Sequence, residues 1–305
     1  MSDVTARRVS LNDAEDTRIA TVAVRSPWKM AFQRFRRNKL AVAGLVVLIL
    51  LVLLAVFAPI VAQHPPDQVD LRARGQGPSW EHPFGTDRTG RDTFARTLYA
   101  GRVSLSVGVV AVAISLLIGT TLGAVAGFKG GIWDAMIMRT TDVIMTFPSI
   151  VIILTVAAIT GPGLGKTMLL IGLLNWPVAC RLVRSRFLLL REQDFVLAAQ
   201  TLGASEGRLI FRHAFPNVID VLIVYSTLGM AGAILLEAGL SFLGLGVQPP
   251  TASWGNMLNV ARNVAVLEGD PWLWIPAGVA VILSVLSVNF VGDGLQEALD
   301  PRLST

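Results

Sequence analysis

The sequence predicts an all-α polytopic membrane protein with six transmembrane helices, and three observations carry the prediction. Hydrophobic residues make up 53% of the 305 and charged residues only 15%, against about 25% charged in a soluble globular domain. Residues 41–63, 103–128, 143–165 and 271–292 contain no Asp, Glu, Lys or Arg. Such runs are long enough to cross a hydrocarbon core of about 30 Å as helices. The charges that remain are gathered between the apolar runs and are biased to one set of loops. A chain this apolar is not intrinsically disordered.

Residues 1–39 read as a polar cytoplasmic tail ending in a basic amphipathic helix. Ser26 followed by Pro27 is a helix-start signal. Trp28, Ala31, Phe32 and Phe35 then fall at i, i+3, i+4 and i+7 with Lys29, Arg34, Arg36 and Arg37 on the other face. That pattern suits a helix lying in the membrane interface, or simply the basic flank of the first span. The first transmembrane helix is 40–62; it is longer than the apolar region of a signal peptide and stays as an anchor. Residues 63–101 form an extracytoplasmic loop rich in Pro and Gly, and 102–305 form a five-helix core.

Within the core the spans are expected at about 103–127, 135–160, 166–187, 216–243 and 272–294. The turn Gly127-Phe128-Lys129-Gly130-Gly131 and the linker Gly161-Pro162-Gly163 separate the first three, and Pro177 predicts a kink in the third. Six spans put both termini on one side. With the N-terminus inside, inner segments carry 18 Lys and Arg and outer segments 8. The positive-inside rule therefore predicts N-in, C-in. The net charge of +5 reflects those inner loops and does not call for nucleic acid.

Several motifs resemble catalytic ones and fail on spacing. Gly161 to Thr167 looks like a phosphate-binding loop, but Thr160 stands where its first Gly belongs and no strand precedes it. Gly203-Ala204-Ser205-Glu206-Gly207 matches a nucleophile elbow without the downstream acid and His that the elbow needs. The single Cys180 excludes a disulfide framework. His64, His82 and His213 are scattered without metal-ligand spacing. No catalytic, cofactor-binding or metal residues are expected in this chain.

The informative segment runs from Glu192 to Asn217. Phe195, Ala198, Ala199 and Leu202 mark one narrow apolar helical stripe. Asp194 lies in the first turn, where it complements the helix dipole. Gly203 suits a left-handed C-terminal cap. Ser205 can then start a second short helix bearing Arg208 and Arg212, before Pro216 opens the next span. Two alanines on the stripe let another protein's backbone come close, whereas a lipid-facing stripe favours bulky groups. The segment reads as a docking helix pair, with an interfacial linker as the alternative.

Here the chain resembles the permeases of ATP-binding-cassette (ABC) importers, whose cytoplasmic loop reads Glu-Ala-Ala, three residues, Gly, then a later Pro. Ala198-Ala199, Gly203 and Pro216 match that pattern, and Leu197 stands where many relatives carry Glu. The resemblance to the "C" permeases of oligopeptide and dipeptide importers extends over most of the chain. It includes residues 26–63, His82-Pro83-Phe84-Gly85-Thr86-Asp87 with Gly90-Arg91-Asp92, and Met138-Arg139 with Asp142. It continues through Leu240 to Pro250, Ser253-Trp254-Gly255, Asn289, Gly292-Asp293-Gly294-Leu295 and Leu299-Asp300-Pro301-Arg302.

The resemblance implies a permease subunit in the bacterial cytoplasmic (inner) membrane, forming half of a path for peptides or a related small solute. It implies a second homologous permease chain, two ABC ATPase subunits and an extracytoplasmic substrate-binding protein as partners, besides the lipid bilayer. ATP and Mg would sit on the ATPase partners and no cofactor on this chain. The ATPase-docking residues would be Asp194, Phe195, Ala198, Ala199, Leu202, Gly203, Ala204, Ser205, Arg208 and Pro216.

Asp142, Asp220, Glu237 and Asp293 are carboxylates near membrane depth, where an unpaired charge is costly. Asp142, Glu237 and Asp293 are candidates for the substrate path, or else for interhelical pairs such as Asp142 with Arg139 or Arg181. Trp254, Trp272 and Trp274 suit an outer aromatic belt. Thr251 or Ser253 is expected to cap a short outer helix running to Arg262. An ion-coupled secondary transporter is the competing function. It calls for inverted repeats and broken midplane helices, and it leaves the striped helix pair without a role.

Overall fold

The computed structural model describes residues 27–299, with side chains from Met30 onward. The tail 1–26, with Ser26, and the end containing Arg302 lie outside the described residues, as does the Trp28 side chain. Among the described residues the regular structure is all helical, with no strand and one isolated bridge between Thr86 and Asp92.

The helices are α1 (Pro27–Arg37), α2 (Lys39–Val56), α3 (Ala58–Val61), α4 (Thr93–Lys129), α5 (Gly131–Thr146), α6 (Ser149–Thr160) and α7 (Leu164–Arg191). They continue as α8 (Asp194–Thr201), α9 (Glu206–Arg208), α10 (Ile219–Phe242), α11 (Trp254–Leu258), α12 (Val264–Gly269) and α13 (Ile275–Leu299). Five of them, α2, α4, α7, α10 and α13, are long and apolar enough to cross a membrane; α5 and α6 together make a sixth candidate, bent by 77°.

The span expected over 135–160 is thus broken in two. Proline disfavours helical backbone in the residue before it, and Phe147 is extended at φ −96°, ψ 138° immediately ahead of Pro148. The apolar run is continuous through Phe147-Pro148-Ser149, so composition hid a break that one residue dictates. Helix also begins within the stretch 63–101. Asp92 Oδ1 accepts the Ala95 amide at 2.6 Å and starts α4 at Thr93, ahead of Arg96 and Arg102. At 37 residues, α4 is about 55 Å long.

α4 and α7 share the longest seam of the bundle. It is built on Gly119, Gly123 and Gly127, one helical face of α4. A Cβ on these residues would stand 2.5 Å from Ala179 Cβ, 2.5 Å from the Cys180 carbonyl and 2.6 Å from Phe187 Cβ. Small residues at this spacing let membrane helices approach closely, where packing replaces the hydrophobic effect as the driving force. α7 runs helical through Pro177.

α13 lies between α2 and α10, and α1 folds back onto its end. Phe35, at 8% exposure, packs there with Ala41, Val291 and Ala298. Phe32 is 62% exposed, so the α1 stripe divides between protein and surroundings. Trp254 is only 2% exposed and donates from Nε1 to the Thr97 carbonyl at 3.0 Å. It is a core residue, which corrects its assignment to an aromatic belt. Ser253 forms a capping box with Asn256 at the start of α11, and a 3₁₀ segment carries the chain on to Arg262.

Candidate functional site

α7 ends at Arg191, and Gln193 turns extended to begin α8 with Asp194 in its first turn. α8 closes at Gly203, whose φ of +82° is the left-handed conformation that a Cβ resists. The Gly203 amide donates to the Gln200 carbonyl at 3.0 Å and the Ala204 amide to the Ala199 carbonyl at 3.0 Å. This pair of bonds is a Schellman motif. Nothing lies within 4 Å of a Cβ placed on Gly203, so the requirement for glycine comes from the backbone alone.

Ser205 is extended and leads into α9, but its side chain makes no capping hydrogen bond; its carbonyl accepts the Leu209 amide at 3.0 Å. The expected second helix is one α turn carrying Arg208. It continues as a π-helical stretch, Leu209–Ala214, and a 3₁₀ turn, Phe215–Asn217. Pro216 has no N–H for the Arg212 carbonyl, and the regular α register stops before it.

The segment has two distinct sides. Val196 and Leu209, at 1% and 2% exposure, face the chain's own helices. Ala214 and Val218 join Val183, Phe187 and Ala124 in one buried cluster beneath it. On the outside Leu202 is 88% exposed, Phe195 is 45% exposed, Ala198 is exposed and Ala199 half-buried. Asp194, Ser205, Arg208 and Pro216 are exposed and Ala204 is half-buried. A leucine left uncovered forgoes roughly 1.5–3 kcal/mol of burial. The stripe read from the sequence is thus the uncovered face of α8.

The carboxylates separate into different environments. Asp142 accepts from Arg181 at 2.6 Å, the interhelical pair that was the alternative to a path residue. Asp134 pairs with Arg184 as well, so α5 is tied twice to α7. Glu237 has no exposed surface and accepts from Ser104 at 2.9 Å and Ser241 at 2.7 Å. Burial and two hydroxyl donors make it a structural acceptor within this chain. Asp293 is exposed on α13. The phosphate-loop look-alike is a linker, in which Lys166 Nζ donates to the carbonyls of Thr160 and Gly161 and caps the end of α6. At the other end of the bundle, Asp87, Arg88 and Thr89 face Asn259, Asn263 and Val266 across an open groove of about 630 Å³.

Residues 119–305 match the family model described as "Binding-protein-dependent transport system inner membrane component". That match spans more than half of the chain. The chain belongs to this family of transport permeases. Residues 26–78 of the permease also match "N-terminal TM domain of oligopeptide transport permease C". The permease is 50% identical over 276 residues to a putative peptide permease protein of Brucella suis biovar 1, covering 90% of this chain and 91% of that one. It is 43% identical over 280 residues to the dipeptide transport system permease protein DppC of Alkalihalophilus pseudofirmus, covering 92% and 91%. Identity to the glutathione transport system permease protein GsiD of Escherichia coli O6:K15:H31 is 40% over 281 residues, covering 92% of each.

The permease is therefore a multi-pass membrane subunit of an ABC transport system and not an ion-coupled carrier. It is not an enzyme: the family's ATPase activity resides in separate subunits, and the family works with a substrate-binding protein and a second permease.

Two features of this region are not legible in the sequence pattern. One is the Phe147–Pro148 break, signalled by the proline alone. The other is the Asp134–Arg184 tie between α5 and α7, whose partners stand 50 positions apart; the Asp142–Arg181 tie beside it was among the pairs the sequence offered.

Proposed function

We propose that this chain forms half of the translocation path of an ATP-driven importer for short peptides or a closely related solute, in the bacterial inner membrane. Both termini lie in the cytoplasm, as the excess of Lys and Arg on that side supports. The names of its relatives, peptide, dipeptide and glutathione permeases, support a cargo with a peptide backbone. The complete transporter holds a second homologous permease, two ATPase subunits carrying ATP and Mg, and an extracytoplasmic binding protein; nucleic acid has no place in it.

One observation carries the mechanism: a helix with an uncovered apolar face, Phe195 to Leu202, held from behind by buried Val196. That face docks in a groove on an ATPase subunit. The small side chains of Ala198 and Ala199 allow close approach, Leu202 fills the groove, and the Gly203 turn aims Ser205 and Arg208 at its rim. When ATP draws the two ATPase subunits together, the segment moves with them. α7 and α10, which it joins, move in turn. The Asp134–Arg184 and Asp142–Arg181 pairs carry α5 along with α7, and the Phe147–Pro148 break lets α6 follow at a different angle.

Disulfide cross-linking in the assembled transporter tests this reading. Leu202→Cys should cross-link to a cysteine in the ATPase groove, with a yield that changes between nucleotide-free and ATP-bound states. Trp80→Cys, on the outer loop and 99% exposed, should give no such product. Equal yields at both positions would contradict the docking.

A further inference from the structure

His64 follows α3 and His82 lies in the loop ahead of α4, yet the fold brings their rings together. The centroids are 4.9 Å apart and tilted by 37°. His82 is 7% exposed and its Nδ1 lies 2.8 Å from Oδ2 of Asp92, itself 3% exposed. The other Asp92 oxygen accepts the Ala95 amide at 2.6 Å, so the start of α4 fixes this carboxylate in orientation. A carboxylate only accepts, and the proton shared with Asp92 therefore sits on His82 Nδ1, which leaves a lone pair on Nε2. His64 Nε2 lies 3.3 Å from the Glu81 carbonyl. A carbonyl also only accepts, and the lone pair of His64 is left on Nδ1.

Histidines that ligate metals have this arrangement: one ring N–H is given to a protein oxygen, which fixes the tautomer and leaves the other nitrogen free. One ligand atom from each of His64, His82 and Asp92 lies within 4.8 Å of the others. Two nitrogens on one tetrahedral zinc ion, each at about 2.0–2.1 Å, stand about 3.4 Å apart. His64 is partly exposed and free to turn its ring toward that spacing, whereas His82 is held by its buried partner. A helix cap alone accounts for Asp92, but it needs neither His82 nor the second imidazole stacked on it.

We infer that His64 and His82 are the protein ligands of a binding site for a divalent transition-metal ion of the zinc class, with Asp92 as the oxygen acceptor that orients His82. Neutral imidazole suits such ions, and water would complete the coordination. A bound ion would pin the chain leaving α3 to the start of α4.

The test uses the assembled transporter, stripped with a chelator, free of histidine tags and titrated with Zn²⁺ alone. Co²⁺ serves as the visible-spectrum probe. Each complex should bind one Zn²⁺ more than the same complex carrying His64→Ala or His82→Gln in this chain. Asp92→Asn keeps an oxygen for the Ala95 amide but turns an NH₂ toward His82 Nδ1. The proton then moves to Nε2, and affinity at this site should fall about 10- to 100-fold. The Co²⁺ d–d band should disappear in the two His variants and require about 10- to 100-fold more Co²⁺ in Asp92→Asn, while all three elute as intact complexes. Equal Zn²⁺ stoichiometry and affinity in the unaltered complex and in His64→Ala would overturn the site, leaving a helix cap and nothing more.

Discussion

Glu237 on α10 and Ser104 on α4 stand 133 positions apart and share a buried hydrogen bond of 2.9 Å. Ser104 in turn accepts the Trp254 amide at 3.1 Å. A parallel relay runs from the Val247 amide through Ser241, at 2.9 Å and 2.7 Å, to the other carboxylate oxygen. One carboxylate thus gathers α4, α10, the start of α11 and the loop between the last two.

Replacing Glu237 with Ala leaves two buried hydroxyls without their acceptor. That costs on the order of 1–3 kcal/mol for each group stranded. The expected outcome is a lower melting temperature in detergent and faster proteolysis between Leu243 and Ser253. Glu237→Gln, which keeps one acceptor oxygen, should fall between the two. A Glu237→Ala chain that melted normally but lost cargo selectivity would return this residue to the substrate path.

Gly123→Leu should separate α4 from α7, because even its Cβ meets the Cys180 carbonyl at 2.5 Å. Overpacking of this kind costs roughly 1–3 kcal/mol or more. Little intact complex should survive solubilisation. Gly165→Leu, where nothing lies within 4 Å of an added Cβ, serves as the control and should assemble normally.

Lys166→Ala should leave the complex's nucleotide affinity unchanged, since Lys166 is spent on the carbonyls of Thr160 and Gly161. Equilibrium binding of a fluorescent ATP analogue checks this. A large loss of binding would place nucleotide at that linker after all.

Orientation is open to thiol labelling. The native Cys180 has no exposed surface and should give little background from either side. An impermeant maleimide added to spheroplasts should label cysteines introduced at Ser79 or Thr251, both exposed. It should reach Ser205→Cys only after the membrane is opened. The reverse pattern would invert the topology.

The long helices were legible because uncharged runs of their length have few other uses, and the α8 stripe because four apolar positions recur at helical spacing. The Gly203 turn was legible for a steric reason: only a residue without a Cβ takes φ of +82° at little cost. What the sequence hid was decided elsewhere in space. The early start of α4 was masked by Arg96 and Arg102. The burial of Trp254 depends on the Thr97 carbonyl across the bundle. The break at Pro148 lay inside an apolar run, and the His64–His82 contact joins residues from two separate stretches of loop.

Cargo-stimulated ATP hydrolysis by complexes carrying Ala199→Glu probes the proposed seating of an ATPase subunit on the uncovered face of α8. The substitution adds a charge and volume to the half-buried edge of the stripe. It changes no residue of the cluster beneath the segment. The result expected is an inserted permease that still binds the loaded binding protein, with ATPase subunits lost or hydrolysing ATP without response to cargo. Gly207→Ala, with nothing within 4 Å of its added Cβ, should behave as the unaltered chain. Normal cargo-stimulated hydrolysis with Ala199→Glu, and ATPase still bound in full, would rule out docking through this face and leave residues 194–205 a linker.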